Sequence, residues 1–334
     1  MHAEANFSGA EFTGETHFAG ANFTGRADFH LTWFGGITFF VGHPRGSKTI
    51  FLDTEVDFSD VVLEPLDALK IRNADLRKCS FLGTDLRKAE FTGVMWPKIE
   101  EDVIYDVWAP LEKSFQRLKE KFKPTWSMID SHIPRAALTH FERVYCKLRQ
   151  KHKPAWPEIG RREGVYDEIV RLEEGESREW SHIEQVYRQL KQNCEDRKDY
   201  ERAGDFHYGE KEMRRKNQNT TKGLRFLLTL YGLVSGYGER YGRPLVCAAA
   251  VLAVCAVLYL FLGLQAKNGG PTLSWMSFGD WLRSAFYSFR VMTVLRPEDF
   301  APIGCAKLVH AFQSLMAPVL LGLFALALRQ KLKR

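Results

Sequence analysis

The sequence lacks the cysteine arrangements that would indicate a disulfide framework or a zinc site. Its six cysteines are scattered, no two form a C-x-x-C pair, and no histidines stand beside them at metal-ligand spacing. A nucleophile elbow and a phosphate-binding glycine loop are also missing. We therefore expect reduced structural thiols, no metal or other cofactor, and a protein that is not an enzyme.

The front of the chain lacks both a secretory signal and any long apolar run. The opening MHAEANFSGAEF has no basic segment followed by an apolar core, so the N-terminal part is expected to stay in the cytosol. A formal net charge of +6 suits a membrane surface as readily as nucleic acid and decides neither. A length of 334 residues predicts two or three domains rather than one core.

A five-residue period marks the first region of the chain. Residues 5–14 read ANFSG AEFTG, and residues 74–93 read ADLRK CSFLG TDLRK AEFTG. Apolar residues of the second stretch lie strictly five apart, at Leu76, Phe81, Leu86 and Phe91. A small residue stands two positions before many of the apolar ones, at Ala5, Ala10, Ala21, Ala74 and Ala89. Neither a helix nor a strand has this period, which indicates a solenoid whose units bury their faces against neighbouring coils.

The pattern resembles the pentapeptide-repeat family, A-(D/N)-(L/F)-x-x, over roughly residues 3–95. That resemblance implies a right-handed, square β-helix over residues 1–98, with the Phe and Leu positions in its core. The phase slips at Glu15 and Arg26 and is nearly lost through residues 32–52, which look like an insertion or a distorted coil. Some members of the family are soluble DNA mimics that bind topoisomerases through an acidic β-helix. Residues 1–60 hold eight acidic against three basic residues, a mild and interrupted acidity, and we expect no nucleic acid partner.

The second region, residues 99–221, is highly charged and has the period of amphipathic helices. LEKSFQRLKEKFKPTW (111–126) aligns without gaps with FERVYCKLRQKHKPAW (141–156), and a weaker copy starts at residue 183. The last copy and the segment after it resemble a tetratricopeptide-type helical hairpin, with a core of Tyr187, Leu190, Ala203 and Phe206. Such a cytosolic helical region can bind a ligand or a protein, but nothing in the sequence identifies one.

Two segments of the third region are long and apolar enough to cross a lipid bilayer. Residues 244–265 and 308–328 carry no charged side chain if His310 is neutral, and the first would reach about 33 Å as a helix. Residues 222–243, with basic residues at both ends, are expected to lie along the membrane surface. Basic residues before the first segment and the terminal RQKLKR favour a multi-pass protein of the cell inner (plasma) membrane, with both termini in the cytoplasm.

Between these segments, residues 278–302 are predicted to form a re-entrant helix and loop. WMSFGDWLRSAFYSFRVMTVL (275–295) is amphipathic, and the helix expected from Asp280, as N-cap, to Thr293 is too short and too charged to span. Residues 244–334 as a whole resemble two-helix pore-loop channels of the kind found in bacterial pentapeptide-repeat proteins with an ion-channel domain. Ser288, Thr293, Asp299 and Pro302 match the aromatic-x-S-x-x-T-x-T-T-x-G-Y-G-D-x-x-P pattern without a gap, and the aromatic Tyr287 directly precedes Ser288.

The candidate filter departs from that pattern, because Arg296-Pro297-Glu298-Asp299 stands in place of Gly-Tyr-Gly-Asp. Candidate pore residues are Thr293, Val294, Leu295, Arg296, Pro297, Glu298 and Asp299. A proline and an arginine cannot supply the alternating backbone carbonyls of a potassium filter, so a poorly selective pore of undetermined sign is expected.

Pro318 and Gly322 are either a hinge of the second span or small residues that permit close packing in lipid. Two function classes remain open. One is a homo-oligomeric, tetrameric ion channel gated through its cytosolic domains; the other is a non-conducting scaffold anchored in the membrane.

Overall fold

The computed structural model describes residues 4–23, 25–42, 49–100, 161–174, 179–267, 272–273, 277–295 and 299–332. The chain divides into two compact units, Met1–Thr220 and Thr221–Arg334. The helical repeats at 111–126 and 141–156 lie outside the described residues. The domain boundary predicted between residues 98 and 99 falls inside the first unit, which holds both the repeats and the described residues from 161 to 220.

Short strands and three helices make up the described part of the first unit. The strands are β1 Ala5–Asn6, β2 Glu11–Phe12, β3 Thr16–His17, β4 Ala27–Asp28, β5 Trp33–Phe34, β6 Thr38–Val41, β7 Val56–Asp57, β8 Val62–Leu63, β9 Leu69–Arg72, β10 Cys79–Ser80, β11 Glu90–Thr92, β12 Lys98–Glu100 and β13 Arg161–Glu163. The helices are α1 Tyr166–Glu174, α2 Trp180–Asp196 and α3 Tyr200–Lys216.

The repeats form three parallel sheets, in the orders β1-β4-β7-β10, β2-β5-β8 and β3-β6-β9-β11. Along the first sheet Ala5 pairs with Ala27, Ala27 with Val56, and Val56 with Cys79. Each strand of this sheet therefore pairs with one that lies more than four five-residue repeats further along the chain. The N-terminal repeat region with parallel sheets is confirmed.

Aromatic rings from successive coils stack face to face in the interior of this region. Phe7 lies 4.9 Å from Phe29, Phe29 lies 5.0 Å from Phe58, and Phe58 lies 5.5 Å from Phe81, measured between ring centroids. The five-residue period correctly marks core positions: Leu76, Phe81 and Leu86 are fully buried and Phe91 is partly buried. Because each ring contacts those above and below it, the core is continuous along the stack.

The interpretation of residues 32–52 as an insertion or a distorted coil is wrong for residues 33–41. Phe34 in β5 pairs with Phe12 on one side and with Leu63 on the other. Phe40 in β6 is fully buried and stacks on Phe18 with a centroid distance of 4.7 Å. The ladder continues through this stretch, because β5 and β6 both pair in register with strands of neighbouring coils.

Helix α2 covers the last coil of the repeats. Its side chains form hydrogen bonds with backbone groups of that coil, in the place of a further coil. The buried side-chain amide of Asn193 donates to the carbonyl of Leu86 at 2.8 Å and to that of Ala89 at 2.7 Å. The carboxamide oxygen of Gln189 accepts from the Leu86 N–H at 3.2 Å. Tyr187, Leu190, Ala203 and Phe206 are buried. The apolar faces of α2 and α3 thus pack on the open end of the stack.

Buried charges of this unit are paired. Arg162 donates to both carboxylate oxygens of Glu168 and to the Tyr187 hydroxyl, at 2.6 to 2.9 Å. Burial opposes ionisation of Glu210, but hydrogen bonds from His207 and Lys191 outweigh it and hold the pKa of this carboxyl well below its usual value. Glu210 therefore stabilises the native unit in its ionised form.

The second unit contains four α-helices and a two-stranded sheet within its described residues. These are α4 Lys222–Ser235, α5 Gly242–Leu262, β14 Leu264–Ala266, α6 Phe278–Met292, β15 Phe300–Pro302 and α7 Ala306–Leu332, with a 3₁₀ turn at Gly236–Gly238. Helices α5 and α7 are long and apolar enough to cross a membrane, and only 22% of each apolar window is buried inside the chain. A core helix of a soluble protein would bury far more of such a surface.

The observed limits of three helices differ from the predicted ones. Helix α5 ends at Leu262, before the predicted residue 265, because Gly263 adopts a φ of 101° that a helix does not allow. Helix α7 extends beyond 308–328 at both ends. Asp280 is not an N-cap: α6 already begins at Phe278, after Ser277 in extended conformation.

Candidate functional site

Helix α6 presents an apolar face to the outside and a more polar face to its own chain. Its exposed large side chains are Phe278, Trp281, Leu282, Phe286 and Phe289, whereas its buried residues are Ser284, Tyr287, Ser288, Val291 and Met292. Its 15 residues span about 22 Å, which is less than the roughly 30 Å of a hydrocarbon core. This inverted pattern suits a helix whose outer face meets lipid or another apolar surface.

Polar side chains attach α6 to the first long helix. The hydroxyl of Ser284 donates to the carbonyl of Ala256 at 2.6 Å, and that of Ser288 donates to the carbonyl of Leu252 at 2.9 Å. The two serines lie one helical turn apart on the face that contacts α5. Small polar residues of this kind allow close approach and hydrogen bonding between helices in lipid.

The second long helix contacts α6 through two further side chains. The side-chain amide of Gln313 donates to the backbone carbonyl of Ser288 at 2.9 Å and to its hydroxyl at 2.8 Å. The Tyr259 hydroxyl of α5 donates to the carboxamide oxygen of Gln313 at 2.9 Å. Tyr287 and His310 share a hydrogen bond of 3.1 Å. All three helices meet in this polar cluster.

Thr293 follows the last residue of α6 and begins the candidate pore loop, residues 293–299. Its N–H and its hydroxyl both bond to the Phe289 carbonyl, at 2.9 and 3.0 Å. Val294 adopts a φ of 62°, and the N–H of Leu295 returns to the Arg290 carbonyl at 2.8 Å. The chain thus reverses sharply, and Val294 and Leu295 are 67% and 57% exposed.

The far end of the candidate loop is tied to both neighbouring elements. Arg290 in α6 forms an ion pair of 3.2 Å with Asp299. The Lys267 N–H donates to the Asp299 carbonyl at 3.0 Å, and β15 pairs antiparallel with β14, Leu264 opposite Pro302. The structure therefore brings Thr293, Val294, Leu295 and Asp299 together at the end of α6. The other candidate filter residues, Arg296, Pro297 and Glu298, lie outside the described residues.

Pro318 and Gly322 both lie inside the continuous helix α7. Gly322 is exposed, and a Cβ added there would have no atom within 4 Å. Among the residues that the structure describes, no close contact within the chain therefore requires glycine at this position. An apolar groove of about 420 Å³ runs between α5 and α7 and is lined by Ala250, Val251, Val254, Cys255, Leu258, Leu308, Val309 and Phe312.

Gln313, Tyr259 and Ser284 did not emerge from the sequence as functional candidates. The available signal was the polarity of these residues: each is a hydrogen-bonding side chain inside or next to a predominantly apolar stretch, where such groups require partners.

Burial raises the pKa of the Cys79 thiol, and it raises that of Cys194 to about 12. Both thiols therefore stay protonated and unreactive at neutral pH. Among the described residues, no cluster of three or more His, Cys, Asp or Glu side chains could hold a metal ion.

Comparison with known proteins identifies part of the first unit. A family model described as pentapeptide repeats (8 copies) matches residues 70–95. The match spans the last coils of the parallel sheets, including Leu76, Phe81 and Leu86. No curated protein and no solved structure matched the chain.

Proposed function

We propose that the second unit assembles with identical copies, as a tetramer, into a membrane pore whose narrow part is the loop from Thr293 to Asp299. One observation carries this proposal. A helix too short to span is held between two helices long enough to do so, and its C-terminal end leads into an exposed, sharply reversed loop.

Several features of the second unit support insertion as a subunit of an oligomer. The outer surfaces of all three helices are rich in exposed large apolar side chains, and the groove between α5 and α7 is almost wholly apolar. Lipid chains or a neighbouring subunit would cover these surfaces. In the proposed orientation both termini lie in the cytoplasm of a cell whose inner membrane holds α5 and α7.

For the first unit we infer a right-handed, four-sided β-helix on the cytosolic side. Three parallel ladders and the stacked rings of Phe7, Phe29, Phe58 and Phe81 support it. In this proposal the β-helix and its helical end cap either assemble the subunits or transmit a signal from a cytosolic ligand or protein to the pore. Deleting residues 1–220 should change the open probability, and unchanged gating would contradict this coupling.

The chemistry of the candidate loop favours poor ion selectivity. Potassium filters use successive inward carbonyls with glycines between them, and Arg296-Pro297 cannot adopt that backbone. Asp299 is paired with Arg290 of its own chain, so its charge is partly compensated before any neighbouring subunit contributes. Arg296 and Glu298 would then be the charged residues of the loop that decide whether cations or anions pass more readily.

The same ion pair also favours a second candidate function, a non-conducting membrane-anchored scaffold. Arg290–Asp299 and the β14–β15 pair close the linker between the two long helices. A linker that only joins two spans would benefit from such a closure.

Planar-bilayer recording under an asymmetric salt gradient separates the two functions. Discrete unitary currents from the purified full-length protein establish a pore, and silence across tension, pH and voltage from folded, oligomeric protein supports the scaffold. Arg296→Glu should shift the reversal potential towards cation selectivity. Arg283→Glu is the matched control, since Arg283 is an exposed arginine near the other end of α6. An equal shift in both variants, or none, would remove Arg296 from the conduction path.

A further inference from the structure

Gln313 is a fully buried polar residue of the second long helix, in a sequence otherwise dominated by apolar side chains. A primary amide in such a place has to satisfy two donors and an acceptor without water. Gln313 does so by contacts to two different helices, as follows.

The amide nitrogen of Gln313 bonds to a single residue of the short helix α6. It donates to the Ser288 carbonyl at 2.9 Å and to the Ser288 hydroxyl at 2.8 Å, and that hydroxyl in turn donates to the Leu252 carbonyl of α5. The carboxamide oxygen accepts from the Tyr259 hydroxyl, also on α5. One side chain therefore joins α7 to α6 directly and to α5 by two routes.

We propose that Gln313 is a positioning residue that clamps the C-terminal half of α6, and with it the start of the loop at Thr293, against both long helices. Ser288 lies just over one helical turn before Thr293, so a shift at Ser288 moves the loop. The role of the loop in conduction rests on the proposed function; the clamp itself rests on the contacts alone.

The position of the clamp in α7 adds a second consequence. Pro318 follows Gln313 by five residues and has no N–H to donate to the preceding turn. The helix is thus anchored to α6 above a point where its own hydrogen bonding is interrupted. Ala317 and Leu320, on either side of Pro318, pack with Met292 at the end of α6, so a bend at Pro318 would alter that packing while the Gln313 contacts precede it.

The test compares substitutions that remove the clamp with one that removes a neighbouring bond. Gln313→Met keeps length and approximate volume but removes the amide, and Ser288→Ala removes the hydroxyl partner. Ser284→Ala is the matched control, because Ser284 is also buried, lies one turn away on α6 and bonds to α5, but has no contact with Gln313.

Amide hydrogen exchange is measured on full-length protein in lipid nanodiscs, over peptides that cover residues 285–295. We expect exchange to become roughly three- to tenfold faster in Gln313→Met and in Ser288→Ala, and to change less in Ser284→Ala. The double variant Gln313→Met/Ser288→Ala should show little more than either single one, because both changes remove one connected network. Unchanged exchange in the single variants, or additive effects in the double one, would overturn the clamp.

Bilayer recording of the same variants separates failure of the clamp from failure of the proposed function. If the clamp positions a conducting loop, Gln313→Met alters unitary conductance and reversal potential while oligomer size is retained. Faster exchange in a protein that carries no current in any form would support the clamp and reject the pore. Normal exchange together with unaltered currents would reject the clamp and keep the pore.

Discussion

Two adjacent phenylalanines in β6 allow a direct test of the inward and outward alternation in the repeat region. Phe40 is fully buried, stacks on Phe18 at 4.7 Å with a 3° angle between rings, and meets Phe58 edge-on at 5.2 Å. Phe39 lies on the outer face, where it stacks on His17 at 4.8 Å and Lys70 lies 5.5 Å above its ring. The two side chains are chemically identical, and they differ in what surrounds them.

Replacement of each residue by alanine should therefore have very different costs. Phe40→Ala removes a buried ring and leaves a cavity in a continuous core, which costs about 3–5 kcal/mol of unfolding free energy. Phe39→Ala loses one stacking contact of a half-buried ring and one cation–π contact, together about 1 kcal/mol. The difference of at least about 2 kcal/mol corresponds to a roughly thirtyfold difference in the opening equilibrium.

Amide exchange of the full-length protein, measured over residues 27–29 and 56–58, provides the assay. These amides pair with the neighbouring coil, for example Phe29 N–H with the Asp57 carbonyl at 2.8 Å. Phe40→Ala should raise their exchange rate at least about thirtyfold over that of Phe39→Ala. Equal increases in the two variants would refute the assignment of Phe40 to the core and Phe39 to the surface.

Three further predictions concern the end cap and the second long helix. Asn193→Ala should cost about 1–3 kcal/mol, since it removes the side-chain hydrogen bonds to the Leu86 and Ala89 carbonyls of the last coil, and exchange in residues 86–92 reports it. Glu210 has a pKa below its usual 4.5, so its stabilisation is present above that pH and is lost as pH falls. Urea denaturation at pH 7 and pH 3 should thus show a smaller loss for Glu210→Gln than for wild type. Gly322→Ala should raise helix stability by about 1 kcal/mol without a clash inside the chain. Oligomer size is measured by size-exclusion chromatography. Loss of the oligomer would indicate that Gly322 contacts a neighbouring copy, and unchanged assembly would exclude such a contact.

The sequence predicted which repeat residues form the core better than it predicted which segments continue the coils. A strict five-residue spacing was sufficient to assign Leu76, Phe81 and Leu86 to the interior, because each coil repeats the same packing. Residues 33–41 were misinterpreted because a slip in phase looks the same in the sequence whether it disrupts a coil or only lengthens a corner. The strand pairing of Phe34 and Phe40, which depends on coils distant in sequence, distinguishes the two.

The role of the helical hairpin could not be predicted from its period. Amphipathic spacing indicates that Tyr187, Leu190 and Phe206 face something apolar, but not what that is. In the structure it is the last coil of the repeats, and the contact depends on Asn193, whose neighbours in sequence give no sign of the carbonyls it meets. Likewise, the two long apolar segments were evident from composition, whereas the polar cluster around Gln313 arises from three helices that meet only in the fold.

Pro318 and Gly322 were explained either as a hinge of the second long helix or as residues that permit close packing, and the structure bears differently on the two explanations. Packing of α7 against its own chain does not require the glycine, because its missing Cβ faces open space. The buried contacts of α7 instead concentrate at Gln313, Ala317 and Leu320, on the face turned away from Gly322. Pro318 interrupts the hydrogen bonding of this helix, while Gln313 before it and Leu320 after it are both packed against the chain. If Gly322 serves close packing, the packing partner is therefore a neighbouring copy of the protein. Bending at Pro318, in contrast, would take place within a single chain.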